Sequence, residues 1–341
     1  MQTLISASNE LFRRGPDERF DSLQSLYDHC YATRTNSIDR WHAPQAIQPA
    51  PHGGRFRVAV GDDGEFSLSD WSFGQLCRLA SVSKETVNRV SAATAAQIFR
   101  ETMPSGDKPL QLLTQDDAIR SIHGTAYTRL HNVDLLNIVR EFATDFQPPQ
   151  TAGTGGTGLY CGEQDMFVFL IDPLGWAEIN GEAFAPGFFL WNSEVGKRSV
   201  GMQTFWFQAV CQNHIVWDAV EVIDFSRKHT ANVHECLGEV RRLIANLVEK
   251  RDQRRDGFVK TIGKAMETTL GSDADEVLKL LAKQGIPRSV AKEALELART
   301  SGRFTIFNVV DALTRLAGRI KNAGERTEAD ERAGMLLALA V

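Results

Sequence analysis

Apolar and polar residues alternate most regularly between residues 55 and 68. The alternation is interrupted by Gly61-Asp-Asp-Gly64, a sequence typical of a tight turn, and it resumes at Phe66. Because successive side chains of a strand point to opposite faces of a sheet, this pattern predicts a β-hairpin.

Between residues 159 and 225 the apolar runs are short, rich in β-branched and aromatic residues, and separated by glycine, proline or charge. Such runs are typical of strands, some of them buried on both faces. The predicted strands cover residues 166–171, 184–191, 200–211 and 215–223, of which 200–211 is also compatible with a helix. With the hairpin they predict an α+β fold: a mixed, mainly antiparallel sheet with helices on one face and a helical C-terminal region.

Serine residues that can cap helices precede three segments of the chain. A serine side chain accepts a hydrogen bond from a free N–H group of the first helical turn, so Ser69, Ser83 and Ser91 predict helices that end near residues 79, 90 and 101. Helical spacing of apolar residues predicts further helices over 20–31, 114–119, 133–144, 273–284, 289–299, 307–321 and 333–341, and a long helix over about 237–270 with a break near Gly257.

The chain divides where its composition changes. The predicted units are an N-terminal arm over residues 1–54, an α+β core domain over 55–225 and a helical C-terminal region over 226–341. Within the core, residues 147–158 are rich in glycine, proline and threonine, which predicts a flexible loop. The glycines of this loop do not indicate a phosphate site, because no lysine follows them and the next segment is a predicted strand.

The 341 residues have an ordinary apolar content of 43% and a net charge of −5, which excludes a protein that is basic overall. Five scattered cysteines lack the CxxC spacing of a metal site and lie mostly among apolar neighbours: Cys30, Cys77, Cys161, Cys211 and Cys236. This usage predicts reduced thiols and a cytoplasmic protein. No apolar run is long enough to cross a bilayer and the N-terminus lacks a secretion signal, so neither membrane insertion nor secretion is expected.

Residues 75–90 resemble the helix-turn-helix motif of the Lac-repressor family, with Ser81 where that family usually has a turn glycine. In such a motif the second helix, here within Ser83 to Val90, enters the major groove of duplex DNA. Any two short capped helices packed against a sheet produce the same spacing. This second interpretation is favoured, because the segment follows a hairpin, whereas the family keeps its motif at the extreme N-terminus.

Acidic residues border the predicted strands, where a two-metal nuclease would hold its ions. The candidate ligands of this alternative are Glu163, Asp165, Asp172 and Glu194. No lysine-containing nuclease motif and no histidine pair accompanies them, so solvated strand ends are the favoured interpretation. No metal, cofactor or catalytic residue is assigned.

Basic residues are concentrated over 227–264, which contains ten Lys or Arg against five Asp or Glu. Cations opposite an apolar stripe can follow a phosphate backbone, although a solvated helix face is the commoner cause of such a pattern. Elsewhere Tyr127 stands beside Arg129 and offers stacking next to charge, the combination that single-stranded nucleic acid requires. The candidate nucleic-acid contacts are Arg120, Tyr127, Arg129, Lys197, Arg198, Arg241, Arg242, Arg251, Arg254 and Arg255.

Three segments carry a resemblance to a known family: Asn192-Ser-Glu-Val-Gly-Lys197, Val210-Cys-Gln-Asn-His-Ile-Val-Trp217 and Phe304-Thr-Ile-Phe-Asn-Val-Val-Asp-Ala-Leu-Thr314. With them the chain resembles, from about residue 66 to 335, the phage- and plasmid-borne proteins catalogued as domain-of-unknown-function family 932. The motif residues are Asn192, Ser193, Glu194, Gly196, Cys211 and Asn213, and His214 stands where the family usually has a glycine. The resemblance implies a gene carried by mobile elements and transfers no catalytic residue.

The leading hypothesis is a protein that binds single-stranded DNA, or anneals it during replication or recombination, and that forms a homo-oligomer. The alternatives are the metal-dependent nuclease, a sequence-specific duplex binder that uses residues 83–90, and a protein that binds a host or phage protein. The leading hypothesis requires the candidate cations to share a surface, and it predicts binding that weakens steeply with salt.

Overall fold

The structure is a computed structural model and describes residues 10–149, 158–209, 213–216, 224–300 and 303–340. Strands and helices are both abundant, the strands are mainly antiparallel, and the C-terminal part is helical. The predicted α+β class is therefore confirmed.

The strands in chain order are β1 (Glu18–Arg19), β2 (Ser37–His42), β3 (Ile47–Pro49), β4 (Val58–Val60), β5 (Glu65–Leu68), β6 (Leu110–Gln115), β7 (Ala118–His123), β8 (Leu159–Cys161), β9 (Met166–Ile171), β10 (Ala177–Ile179), β11 (Glu182–Asn192), β12 (Val200–Gln208), β13 (Asn213–Ile215) and β14 (Asp224–Arg227). The α-helices are α1 (Leu23–Thr35), α2 (Asp70–Leu79), α3 (Lys84–Val87), α4 (Ala92–Thr102), α5 (Asn132–Phe142), α6 (Cys236–Glu249), α7 (Arg251–Glu267), α8 (Ala274–Lys283), α9 (Arg288–Thr300), α10 (Ile306–Ala317) and α11 (Ala323–Gly334).

The larger sheet contains eight antiparallel strands within the described residues, in the order β1-β8-β9-β11-β12-β13, with β10 paired to β11 and β14 paired to β12. Its centre is the long β11–β12 hairpin, which shows that the segment starting at residue 200 is a strand. Side chains such as Leu170 and Phe188 pack on one face with α1, α5 and α6. The opposite face is aromatic and includes Phe169 and Phe205.

The smaller sheet has the order β2-β6-β7-β5-β4-β3 in the part of the chain that the structure describes. The predicted 55–68 hairpin is present as β4 and β5, but it does not join the strands beyond residue 159, because β5 pairs in parallel with β7. The predicted helix over 114–119 is wrong, since this segment is the β6–β7 hairpin. The hairpin turns at Asp116, whose φ of +50° lies in the left-handed region.

Three capped helices follow β5. Ser69, Ser83 and Ser91 each accept a hydrogen bond from the backbone N–H three residues ahead, so all three predicted caps are confirmed. The helix after Ser83 is one turn long and ends at Val87, short of the predicted residue 90.

The C-terminal helices α7 to α10 enclose a core that also contains Trp206 of β12. The ring of Trp206 stacks on Phe258 of α7 at a centroid distance of 3.8 Å. The predicted long helix is divided between α6 and α7 at Lys250, and not near Gly257.

Candidate nucleic-acid interface

The loop between β11 and β12 contacts the smaller sheet. We call residues 192–199, which are this loop and the last residue of β11, the motif loop. The carbonyl oxygen of Val195 at its tip accepts a hydrogen bond of 2.7 Å from the Trp71 indole N–H. A ring nitrogen of His123, at the end of β7, lies 2.9 Å from the same oxygen. The tip of the larger sheet's central hairpin is thus anchored on the smaller sheet and on helix α2.

Asn192 and Ser193 are completely buried and fix the shape of the motif loop. The Asn192 amide donates to the Leu130 carbonyl and to Asn132 Oδ1, both at 2.9 Å. The Ser193 hydroxyl donates to the Gln164 carbonyl and accepts from the backbone N–H at residue 197. Because these bonds are internal to the protein, the two motif residues position the loop and do not face a ligand.

Glu194 places a carboxylate in the same buried region. Its Oε2 accepts from Arg120 Nη1 at 3.0 Å, and its Oε1 accepts from the Asn132 backbone N–H at 2.8 Å. His131 Nδ1 lies 3.5 Å from Oε1, at the outer limit of a hydrogen bond. Burial alone would raise the pKa of Glu194, but the His131 contact, the Arg120 charge and the Asn132 N–H lower it to about 2. Glu194 is therefore a permanent buried anion with a structural partner, Arg120.

Tyr127 and Arg129, two of the predicted nucleic-acid contacts, bind the motif loop. The Tyr127 hydroxyl donates to the Glu194 carbonyl at 2.9 Å, and its ring stacks on His123 at 3.7 Å. Arg129 donates to the same carbonyl and forms an ion pair of 2.8 Å with Asp39. Only 3% of the Arg129 side chain is exposed, so in this conformation Arg129 cannot reach a phosphate.

Gly196 is a motif residue for which two physical reasons are visible. Its φ of +72° lies in the left-handed region that glycine adopts without strain. A Cβ atom at this position would also lie 2.5 Å from His123 Cε1. The close approach of the loop to the His123–Tyr127 stack therefore requires glycine.

The outer surface of the motif loop has a different character, because it exposes charge beside aromatic rings. Lys197 is exposed, and its Nζ lies 5.2 Å from the centroid of the Trp71 ring. The exposed Arg78 places its Cζ 4.9 Å from the same ring. On its other side Lys197 lines a pocket of about 340 Å³ whose aromatic wall includes Trp191. We call Trp71, Arg78, Lys197 and this pocket the Lys197 groove.

The remaining members of the pocket are mixed in charge. They are Phe167, Phe189, Arg198, Ser199, Gly324, Thr327, Glu328 and Glu331. Arg198 forms ion pairs of 2.8 Å with Asp165 and 3.0 Å with Glu328. Its guanidinium is therefore largely engaged, whereas Lys197 forms no ion pair within the described residues.

The cations predicted on the long helix do not lie together as free charges. Arg241 and Arg242 of α6 are exposed, with Arg241 over the ring of Phe142. On α7 the guanidinium groups are held by protein atoms: Arg251 by Asp145 and Asp172, Arg254 by the Gly187 carbonyl, and Arg255 by Asp252 and Asp256. Arg254 is only 2% exposed. Of the nucleic-acid contacts predicted on the long helix, only Arg241 and Arg242 of α6 therefore remain candidates.

The four carboxylates of the nuclease alternative are engaged separately. Glu163 accepts from the Trp71 backbone N–H, Asp165 pairs with Arg14 and Arg198, Asp172 pairs with Arg251, and Glu194 pairs with Arg120. Across the described parts of the chain, no group of three or more His, Cys, Asp or Glu residues is arranged to hold a metal ion. The geometry therefore gives the nuclease alternative no support.

The helix-turn-helix resemblance has a partial structural basis. Ser81 has a φ of +56°, the conformation for which the Lac-repressor family uses glycine. The second helix, α3, contains only four residues. A single turn presents too few side chains to read a major groove, so the arrangement fits a packing motif better than a recognition helix.

Two motif residues give less information. Cys211 lies outside the described residues, and for Asn213 only the backbone is described, as the first residue of β13. In the described part of the chain, none of the helices combines the length and apolar character needed to span a bilayer.

A family model described as "Domain of unknown function (DUF932)" matches residues 120–269, which confirms the predicted resemblance over this segment. Searches of curated proteins and of solved structures found no match to the chain. The matched segment contains the motif loop and its partners Arg120, Tyr127 and Arg129. It does not contain Trp71 and Arg78. No pattern in the sequence marks these two residues as ligand contacts, because Trp71 is flanked by cations only after folding.

Proposed function

We propose that the protein binds single-stranded nucleic acid in the Lys197 groove. The family match assigns no activity to the chain. The observation that supports this most is the position of Lys197: an exposed ammonium group between the ring of Trp71 and the pocket beneath Trp191. Proteins that bind single strands without sequence preference combine aromatic platforms for the bases with cations for the backbone. The Lys197 groove places aromatic rings and a cation next to each other.

The charges of the groove are available for a ligand. Neither Lys197 nor Arg78 forms an ion pair with any other residue that the structure describes. A phosphate that replaces solvent around them would gain attraction and release condensed counterions, which is the main source of affinity in such complexes. The overall charge of −5 does not oppose this, because charges separated by more than about 10 Å are largely screened at ordinary salt concentrations.

The acidic side of the pocket restricts how a strand can lie. Glu328 is paired with Arg198, and Glu331 stands beside it in the pocket wall. Carboxylates repel phosphates but accept hydrogen bonds from the amino groups of bases. The backbone is therefore expected along Lys197 and Arg78, with a base directed into the pocket.

A single strand fits this surface better than a duplex. Stacking on Trp71 or entry into the pocket requires a base with a free face, and duplex bases are stacked on each other. The one-turn helix α3 offers no alternative for reading a major groove.

The test is fluorescence anisotropy of a labelled single-stranded oligonucleotide and of its duplex, titrated with protein at several salt concentrations. Lys197→Glu is expected to weaken single-strand binding several-fold and to reduce the slope of log affinity against log salt by about 0.7 for each phosphate that the variant no longer binds. Lys260→Glu is the matched control, because Lys260 is an exposed lysine of α7 outside the groove. Absence of single-strand binding at low salt, or equal losses of affinity in both variants, would contradict the proposal.

The homo-oligomer is a further part of the proposal. It is supported by apolar side chains on β2, an edge strand of the smaller sheet, where Ile38 is 53% exposed and Trp41 is 49% exposed. Exposed apolar edges commonly pair with another chain. Light scattering during gel filtration should report more than one chain per particle, and Trp41→Glu should shift the mass toward the monomer. A role in replication or recombination, and the phage or plasmid origin implied by the resemblance, remain predictions.

A further inference from the structure

The pocket of the Lys197 groove has two unlike walls. One wall is aromatic: Phe189 and Trp191 are two residues apart on β11 and face the same side of the sheet, with their ring centroids 5.4 Å apart. The other wall is one face of helix α11, whose members recur at helical spacing: Gly324, Thr327, Glu328 and Glu331. The volume of about 340 Å³ is at the lower end of the range for small-ligand pockets, so the pocket suits a single base.

A hydrogen-bond donor lies at the Gly324 end of the helical wall. Arg198 uses Nε for its ion pair with Asp165 and Nη1 for its ion pair with Glu328. Its Nη2 lies against Gly324, since a Cβ atom at this glycine would be 2.4 Å from Nη2. Because two ion pairs hold the guanidinium, the Nη2 donor has a fixed position in the pocket.

A hydrogen-bond acceptor lies farther along the same wall. Glu331 follows Glu328 by three residues on α11, which displaces it by about 4.5 Å along the helix axis. Its side chain lines the pocket, and the residue is half-buried. A carboxylate has two oxygen atoms and can accept two hydrogen bonds side by side. The helical wall thus presents a guanidinium and a carboxylate at successive positions.

Among the four DNA bases, guanine matches this arrangement best. Its N1–H and N2–H₂ groups are neighbouring donors on one edge, and its O6 acceptor lies next to them on the same edge. Adenine and cytosine present one amino donor beside acceptors, and thymine presents one N–H between two oxygens. Guanine alone can donate two hydrogen bonds to one carboxylate while its O6 accepts from a guanidinium.

We propose that the pocket selects guanine, with its N1–H and N2–H₂ groups on Glu331 and its O6 on Arg198 Nη2. This inference rests on the proposed binding of a single strand in the Lys197 groove. The base stacks against Trp191, which is only partly buried, while the exposed Lys197 holds the adjacent phosphate. Any other base would cover the carboxylate without supplying both donors, and this mismatch disfavours it. Lys197 therefore sets the affinity for every strand, and Glu331 sets the preference for guanine.

The experiment measures dissociation constants of labelled oligothymidylates for the full chain by fluorescence anisotropy. The oligonucleotides differ only in one central base, which is guanine, hypoxanthine, adenine or cytosine. Hypoxanthine is the sharpest comparison, because it keeps N1–H and O6 and lacks only the N2 amino group. The strand with guanine is expected to bind at least about fivefold more tightly than each of the other three.

Three variants separate the preference for guanine from the affinity for the strand. Glu331→Gln should reduce the advantage of guanine over hypoxanthine to less than about twofold, because an amide oxygen cannot replace the pair of carboxylate acceptors. Glu325→Gln, at an exposed glutamate of α11 that does not line this pocket, should keep the full preference. Lys197→Glu should weaken the binding of all four strands by a similar factor.

Two results with the oligonucleotides would overturn the inference. Equal dissociation constants for the guanine and hypoxanthine strands would do so, although the proposed function would stand if both strands bind. A full preference for guanine in Glu331→Gln would also do so, because the acceptor would then not be Glu331.

A strand that does not bind at all would contradict the proposed function, and free nucleotides then decide the inference. The indole N–H signal of Trp191, assigned by its loss in Trp191→Phe, is followed by NMR. Guanosine 5′-monophosphate should shift this signal at lower concentration than inosine 5′-monophosphate, which lacks the N2 amino group. Equal shifts with the two nucleotides, or no shift with either, would overturn the inference.

Discussion

Glu194→Gln is the substitution that tests most directly how the motif loop is held. The glutamine keeps the size of the side chain and removes the buried charge that Arg120, His131 and the Asn132 N–H stabilise. Arg120 then has a guanidinium that is 14% exposed and no longer faces a carboxylate. Removing one partner of a buried ion pair is costly because the remaining charge stays desolvated.

The magnitude follows from linkage between protonation and folding. The pKa of Glu194 is lowered from 4.5 to about 2. A shift of this size corresponds to about 3 kcal/mol of stability at neutral pH. Because the pKa is depressed in the folded protein, the contribution is complete above pH 4.5 and is lost as the pH falls toward about 2. Glu194→Gln should therefore lower the free energy of unfolding by about 3 kcal/mol at pH 7, and the difference from the unaltered protein should shrink below pH 4.5.

The assay is urea unfolding followed by tryptophan fluorescence, at pH 7 and at intervals down to pH 3. Glu141→Gln provides the control, since Glu141 is exposed on α5 and its substitution should change stability by less than about 0.5 kcal/mol. A loss of less than about 1 kcal/mol for Glu194→Gln at pH 7, or a loss that does not depend on pH, would refute this reasoning.

Three further predictions concern stability and are measured by the same urea unfolding. Ser81→Gly should stabilise the protein by about 1 kcal/mol, because Ser81 has a φ of +56°. Ser83→Ala should destabilise it by about 1 kcal/mol, because α3 then has no side-chain cap. Stability changes of the same sign in the two variants would contradict the roles assigned to these serines. Gly187→Ala should lower the free energy of unfolding by about 3 kcal/mol, since its Cβ would lie 2.3 Å from the Leu170 carbonyl oxygen. Gly238→Ala in α6 has open space and should raise the free energy of unfolding by about 1 kcal/mol. A Gly187→Ala protein of normal stability would show that the strands can separate. Asp330→Asn should raise the free energy of unfolding at pH 7 by more than about 1 kcal/mol, because burial raises the pKa of Asp330 from 3.8 to about 8. The favourable contribution of Asp330 is therefore complete below pH 3.8 and is lost as the pH rises toward about 8. A gain from Asp330→Asn that does not grow between these two pH values would show that burial of the carboxylate is not the cause.

Local features of this fold were predictable because they depend on neighbours in the sequence. The three serine caps and the 55–68 hairpin are of this kind, since their hydrogen bonds form within a few residues. The helix predicted over 114–119 fails for a local reason as well. A short apolar run is compatible with either structure, and the left-handed residue Asp116 that turns it into a hairpin is not specific to turns.

The arrangement of the sheets depends on contacts between distant segments. Pairing of β5 with β7 separates the 55–68 hairpin from the strands beyond 159, and no pattern within either segment specifies that pairing. Strand register is set by which faces are buried together, and this is known only once the whole chain is folded.

The same limitation applies to the candidate site. The sequence identifies cations but not the groups that neutralise them. Asp39 pairs with Arg129 across 90 residues, and the Gly187 carbonyl holds Arg254 across 67. Lys197 forms no ion pair within the described structure because it is exposed on a loop whose residues 192–195 are buried. The contribution of Trp71 arises from the anchoring of α2 on that loop, which no local pattern indicates.

The most direct test of the central claim is photocrosslinking of the protein to a single-stranded oligonucleotide that contains bromodeoxyuridine, followed by mapping of the attached peptides. The Lys197 groove predicts that the crosslinks lie on the peptides containing Trp71 and Trp191, and that Lys197→Glu reduces them more than Lys260→Glu does. Crosslinks confined to the α6 segment with Arg241 and Arg242, or equally strong labelling by a duplex, would contradict it.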